Sequence, residues 1–251
     1  GCGLLGWEFA KSLNEIDFKV ILLDNSKKKL KEKKIFNKIN QLDCDFLYCD
    51  ITNKKKTSLI IKKINNKYKK IDVLINNACL DYVPKKVSKK NEVNNFINYS
   101  IKRLNNEIDV GLIGALICSQ LVGPIMIKNK SGIIINIGSD LSIIAPNQNL
   151  YKHLKTIKPV GYSLIKSGLH GLTKYLASLW GEEGIRVNTL SPGGIQNDQD
   201  RKFVKKLKRI IPMKRMAKKN EYNDLVLFLC SKSSSYINGT VVVADGGRSM
   251  I

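Results

Sequence analysis

Six short, strongly apolar runs alternate along this chain with longer stretches of helical period, and that alternation limits the fold more than any other feature. The runs lie at 19–24, 45–49, 71–76, 132–138, 185–191 and 240–244, and amphipathic stretches at 27–39, 57–68, 107–128, 162–181 and 221–231 separate them. Antiparallel sheets with a wet face show alternating strands; continuous apolar strands joined by helices belong to a parallel sheet covered on both faces. The expectation is one α/β, doubly wound domain over 1–251, with no internal repeat and no linker rich in Pro, Gly or Ser. In such a sheet a glycine turn follows the first strand. Gly1 already sits in a glycine-rich turn, so a strand ahead of residue 1 is expected that the given sequence does not hold.

Composition narrows the function classes. Hydrophobic residues make up 43% and charged residues 25%, enough for a sizeable core and against disorder. With no apolar run expected to approach ~18 residues and no leader-like start, a cytoplasmic chain with no membrane partner is expected. The formal charge of +22 invites a nucleic-acid reading, but the excess is mostly Lys spread over many segments, with no zinc-finger, RNP or KH pattern, so no nucleic-acid partner is expected. Six cysteines without a Cys-x-x-Cys pair and two histidines give little material for a metal site and suit reduced thiols.

Gly1-Cys2-Gly3-Leu4-Leu5-Gly6 fits G-x-G-x-x-G. It is followed by an apolar helical pattern (Leu4, Leu5, Phe9, Leu13) and by a strand ending in Asp24, 18 residues past Gly6. Glycines let the backbone approach a pyrophosphate at a helix N-terminus, and the acid takes a ribose diol. Asp24 would repel a 2′-phosphate, so NAD is favoured over NADP; Lys27, Lys28 and Lys29 nearby weigh the other way.

Tyr-x-x-x-Lys occurs three times, at Tyr82/Lys86, Tyr151/Lys155 and Tyr162/Lys166. With nine Tyr and 37 Lys in 251 residues, about one match arises by chance, so position must decide. Two groups at i,i+4 share one face only on a continuous helix. Pro159 interrupts any helix from Tyr151, and Pro84 lies inside the first pair. Tyr162 opens an unbroken helical stretch just after Pro159, and it is chosen.

These motifs together resemble the short-chain dehydrogenase/reductase family nearly end to end. They are the glycine loop, Asp50-Ile51, Asn76-Asn77-Ala78, Asn136-Ile137-Gly138-Ser139, Tyr162-Ser163-Leu164-Ile165-Lys166-Ser167-Gly168, Arg186-Val187-Asn188 with Ser191-Pro192-Gly193-Gly194, and Asp245-Gly246-Gly247. Residues 139–151 and 158–160 look most like family members from flagellin-modification and surface-polysaccharide clusters. The resemblance implies a Rossmann-type fold, an NAD-dependent oxidoreductase, and Ser139, Tyr162 and Lys166 as catalytic residues. It implies cofactor contacts from Gly1, Gly3, Leu5, Gly6, Asp24, Asp50, Ile51, Asn77, Ala78, Tyr162, Lys166, Pro192 and Gly193, and no metal. Tyr162 would act as general base or acid, Lys166 would favour its phenolate, and Ser139 would hydrogen-bond the substrate oxygen.

Ser139 lies 23 residues before Tyr162, more than the family usually shows, so 140–160 is read as an inserted substrate-side loop and 195–215 as a substrate lid. Lys152, His153, Lys155 and Lys158 crowd the first; Arg201, Lys202, Lys205, Lys206, Lys208 and Arg209 crowd the second. They are either solvated faces or, in part, a site for an anionic substrate, with Lys155 and Lys158 as candidates for a phosphate. Gly111 stands where the family usually places a relay Asn. The helices at 107–128 and 162–181 resemble those of a four-helix interface, so a homodimer or homotetramer is expected. The favoured substrate is a hydroxyl or keto group of a sugar phosphate or nucleotide sugar. A 3-oxoacyl thioester or a gluconate or polyol is the alternative, and a catalytically weak dinucleotide-binding regulator is the reading from another class.

Overall fold

A computed structural model describes residues 1–81 and 95–251. Helix α1 (Leu4–Asn14) leads to β1 (Val20–Asp24), α2 (Lys27–Ile39), β2 (Cys44–Tyr48), α3 (Lys54–Tyr68) and β3 (Val73–Asn76). Helix α4 (Ile101–Ile108) passes through one π-helical segment, Asp109–Ile113, into α5 (Gly114–Lys128). Then come β4 (Gly132–Ile137), α6 (Val160–Trp180), β5 (Ile185–Pro192), α7 (Arg201–Arg209), α8 (Asn223–Cys230) and β6 (Val241–Ala244). Side-chain oxygens cap several starts: Ser26 accepts from the Lys29 amide, Asn53 from Lys56 and Ser100 from Arg103, each satisfying an orphan helix donor.

All strand pairs are parallel: β1 with β2, and β3-β4-β5-β6 in that order. The period of two in β4 sorts its side chains. Ile134 packs with Val122, Met126, Leu176 and Val187 on the face of α3, α5 and α6, whereas Ile135 and Ile137 pack with Phe9, Leu13, Val226 and Leu229 on the face of α1 and α8. The doubly wound architecture expected from continuous apolar strands is therefore present. The edges of β1 and β3 are not hydrogen-bonded to each other; both line a cavity of about 210 Å³ whose walls include Phe9, Leu13, Ala115 and Cys118.

One expectation needs correction. The helical run Ile101–Lys128 is long and apolar enough to cross a bilayer, although the sequence reading found no such stretch. Val110–Ile127 has no charged residue, and its Gly, Ser, Gln and Pro interrupt the apolar pattern without making it polar. Half of the most apolar window is buried within the fold, with Val122 and Met126 in the central core. The Tyr82/Lys86 pair lies outside the described residues.

A buried amide–hydroxyl chain ties the strands together beneath their carboxyl ends. Asn76 donates to Asn136 (2.8 Å), Asn136 donates to Thr173 (2.8 Å), and Thr173 meets Thr189 at 2.7 Å. Every member is buried and hydrogen-bonded, so the chain fixes α6 against β3, β4 and β5 without leaving an unpaired dipole.

Candidate active site

The carboxyl ends of the strands open into a cleft of about 510 Å³. In open α/β sheets this is where ligands bind. At one end, Gly1, Gly3, Leu5, Asp24, Asp50, Ile51, Asn77 and Ala78 line it; at the other, Ser139, Tyr162, Lys166, Pro192 and Gly193 do. Of the fourteen site positions read from the sequence, Gly6 is the one that does not line it. A Cβ at Gly6 would strike the Gly1 carbonyl at 2.3 Å and the Asn77 side chain at 2.9 Å. Its lack of a side chain lets the turn pack on α1.

The first end fits a dinucleotide. A Cβ at Gly3 would have no atom within 4 Å, so this glycine leaves free space beside the start of α1. The helix has no side-chain cap and no acid in its first turn, leaving its first amides and its positive end available to an anion. Asp24, at the end of β1, accepts from the Cys2 amide (2.9 Å) through Oδ2 and from the Ser26 amide (2.8 Å) through Oδ1. These two amides fix the carboxylate at the strand end, where it lines the cleft. Lys29 lines the cleft as well, whereas Lys27 and Lys28 do not.

At the second end α6 presents Tyr162 and Lys166 one turn apart. The Lys166 ammonium is buried, donates to the Ile137 carbonyl at 2.6 Å, and lies 5.6 Å from the centre of the Tyr162 ring. Burial lowers its pKa. Burial raises the Tyr162 phenol well above its ordinary value, and Asp81, Cys79 and Asp140 add to that; the Ser139 hydroxyl opposes it by hydrogen bonding. Ser139 itself is buried, accepts from the Leu141 amide (3.2 Å) and donates to Asp140 (3.0 Å). Tyr151 and Lys155 form no comparable pair. Short 3-10 turns carry them, Lys155 is left-handed (φ 50°) and exposed, and Tyr151 is buried against Phe203.

Two ion pairs, one buried and one half-open to water, bring together residues far apart in the sequence. Arg248 donates to Asp140 at 2.7 Å, behind Ser139; Lys158 donates to Asp81 at 2.6 Å, over Tyr162. Lys158 therefore departs from its grouping with Lys155: it is 7% exposed, and Asp81 already holds its ammonium. Partners 108 and 77 positions apart leave no local pattern to read.

Gly111 stands in the π-helical segment, a form frequent at functional sites. A Cβ there would meet Ile165 Cγ2 at 2.7 Å and Cys79 Sγ at 3.6 Å. The space an Asn side chain would need is filled by a fully buried isoleucine. Loops 140–160 and 195–215 are joined: Leu150 and Tyr151 pack with Phe203 and Leu207, and His153 meets Asp200 at 2.7 Å. His170 contacts Ser142 (2.9 Å) and Ser191 (3.2 Å) within the fold.

Fold and cleft define a protein of the dinucleotide-binding α/β class. Residues 4–249 match the family model described as enoyl-(acyl carrier protein) reductase. A 3-oxoacyl-(acyl-carrier-protein) reductase of Thermotoga maritima is 32% identical over 79% of this chain and 74% of its own. The post-translational flagellin modification protein A of Campylobacter coli is 27% identical over 98% of this chain and 94% of its own. A short-chain dehydrogenase from Leptospira borgpetersenii, solved with bound NAD+, superposes with a TM-score of 0.84 at 28% identity, covering 99% of this chain and 89% of that one. The chain belongs to the short-chain dehydrogenase/reductase family of NAD(P)-dependent oxidoreductases.

Proposed function

We propose that this protein uses NAD to interconvert a hydroxyl and a keto group on a sugar derivative, a sugar phosphate or nucleotide sugar, through Ser139, Tyr162 and Lys166. The observation that carries the reading is the convergence of these three side chains on one wall of a cleft whose other end suits a dinucleotide. When bound, the nicotinamide ring supplies the hydride acceptor or donor. For alcohol oxidation, the Tyr162 phenolate takes the hydroxyl proton; for ketone reduction, the phenol returns it. The Ser139 hydroxyl turns from Asp140 to the substrate oxygen and stabilises its developing charge. Lys166, anchored on Ile137 O, holds the ribose and sets a positive field beside the phenol. Asp24 takes the other ribose diol, which favours NAD; Gly1, Gly3, Leu5, Asp50, Ile51, Asn77, Ala78, Pro192 and Gly193 complete the cradle, and Gly6 lets its glycine turn pack on α1.

The whole chain acts as one domain in this reading, with 140–160 and 195–215 forming the substrate side and lid. Arg201, Lys202 and Lys205 leave an exposed basic surface on α7, which suits an anionic substrate. Ile113 on the π-helical segment and Leu164, Tyr175 and Leu179 on α6 are exposed apolar residues, and burying them supports a homodimer or homotetramer. The overlap with the flagellin modification protein, 98% of this chain and 94% of that one, supports a sugar derivative. A 3-oxoacyl thioester is the second reading, favoured by the higher identity to the Thermotoga reductase.

The test is nicotinamide absorbance with purified protein, both cofactors, and a panel of sugar phosphates, nucleotide sugars and 3-oxoacyl thioesters. Turnover of a sugar derivative is expected. Turnover of thioesters alone transfers the conclusion to the second reading, and cofactor binding without turnover of any substrate leaves the regulatory one.

A further inference from the structure

Lys158, Tyr162 and Lys166 are spaced four and four residues apart, and the fold uses both intervals. Lys166 reaches the phenol from inside α6. Lys158, two residues ahead of Val160, reaches it from the loop. Its ammonium stands 3.6 Å from the centre of the Tyr162 ring, against 5.6 Å for Lys166. At equal dielectric the nearer charge acts about 1.5 times as strongly, since Coulomb energy falls as 1/r.

The position of Lys158 is built. Gln148 clamps its backbone from both sides, accepting from its amide (2.9 Å) and donating to its carbonyl (3.4 Å). The side chain is 7% exposed, so water screens little of its field. Asp81, its partner, is 48% exposed, and water weakens the opposing field of that carboxylate. The pair therefore presents the ring with a near, dry cation backed by a wetter anion. A phenolate ring is more electron-rich than a phenol, so an ammonium on its face favours the ionised form.

We infer that Lys158 is a second ammonium for Tyr162, supporting its phenolate from the ring face, and that Asp81 is the counter-charge that limits this support. Both are positioning residues for the reacting phenol, an assignment that rests on the reading of Tyr162 above. Among the described residues, the other groups facing Tyr162 are Ser139 and Asp140 after β4, Cys79 after β3, and Lys166 on α6. Arg103 and Glu107 on α4 share a second cavity with it, and they bind one another at 2.8 Å.

The test reads ionisation directly and needs no substrate or cofactor, so it stands or falls apart from the proposed activity. Tyrosines labelled with 13C at Cζ are followed by NMR across alkaline pH, with Tyr162→Phe assigning the resonance. Lys158→Met is expected to raise the Tyr162 midpoint by about 1 unit or more, and Asp81→Asn to lower it by a similar amount, the range for a charge within a few ångströms. Lys158→Arg keeps the cation and is expected to stay near wild type. Circular dichroism checks that each variant is folded. A midpoint that fails to fall in Asp81→Asn overturns the inference, whether it is unmoved or stays above the range in which the chain is folded. So does a Lys158→Met midpoint equal to that of Lys158→Arg.

Discussion

Replacing Arg248 with Met would strip the counter-ion from Asp140 while leaving the carboxylate 3% exposed. Removing one member of a buried pair costs about 3–5 kcal/mol, because the remaining charge has lost its solvent and its partner. Ser139 still donates to Asp140 at 3.0 Å, which places the expectation near the lower end, about 3 kcal/mol, or roughly 6–12 °C in Tm for a chain of this size. The carboxyl already sits above its ordinary pKa through burial, with Arg248 the main restraint. Losing Arg248 raises it further. A carboxyl whose folded pKa is raised binds more protons folded than unfolded, so stability falls as pH rises between the unfolded and folded values. The deficit against wild type should therefore shrink on going from pH 7 to pH 5, by up to about 1.4 kcal/mol per unit. Urea unfolding at both pH values measures it. Asp140→Asn/Arg248→Met, which removes the charge as well, should recover much of the loss. A deficit below about 1 kcal/mol, or one that is the same at both pH values, would refute the reasoning.

Three further outcomes are expected. Gly111→Asn should destabilise by about 1–3 kcal/mol through overpacking against Ile165, and adding Ile165→Ala should return part of it; thermal unfolding of both variants checks this, and a neutral Gly111→Asn would contradict it. Asn136→Leu should cost about 1–3 kcal/mol, because Asn76 and Thr173 each lose a buried hydrogen bond and keep only Ser119 (3.3 Å) and Thr189 (2.7 Å), read as a lowered Tm with the fold retained by circular dichroism. Asp24→Asn should weaken NADH about tenfold or more, the worth of a charged hydrogen bond, and leave NADPH unchanged or tighter; titration of nicotinamide fluorescence decides, and loss confined to NADPH would reverse the assignment.

The strands at 132–138 and 185–191 were legible because a strand covered on both faces must be apolar throughout, and composition alone reveals it. Helix α6 was legible through its unbroken run after Pro159. The site was legible as far as its parts were local: a glycine turn, an acid at a strand end, a Tyr and a Lys at one helical turn. Elsewhere local signals ran out. Helix α4 begins at Ile101, where Ser100 caps a segment of mixed polarity, and the π-helical segment sets Gly111 against Ile165 of α6, a contact that no period encodes. Helix α7 hid in a basic run whose buried apolar anchors, Phe203 and Leu207, pack with Leu150 and Tyr151 of the 140–160 loop. Lys158 read as one of a crowd of loop lysines, part of a solvated face or, with Lys155, a ligand for a phosphate; only the return of the chain after β3 brings Asp81 to it.

The central claim is that the phenol of Tyr162, and not that of Tyr151, exchanges the proton that accompanies hydride transfer. Steady-state nicotinamide absorbance on the best substrate of the panel tests it most directly. Tyr162→Phe should lose turnover by about two to four orders of magnitude, the worth of a positioned acid–base group, while still binding NADH, and Tyr151→Phe should keep it. Turnover that survives in Tyr162→Phe and disappears in Tyr151→Phe would contradict the account.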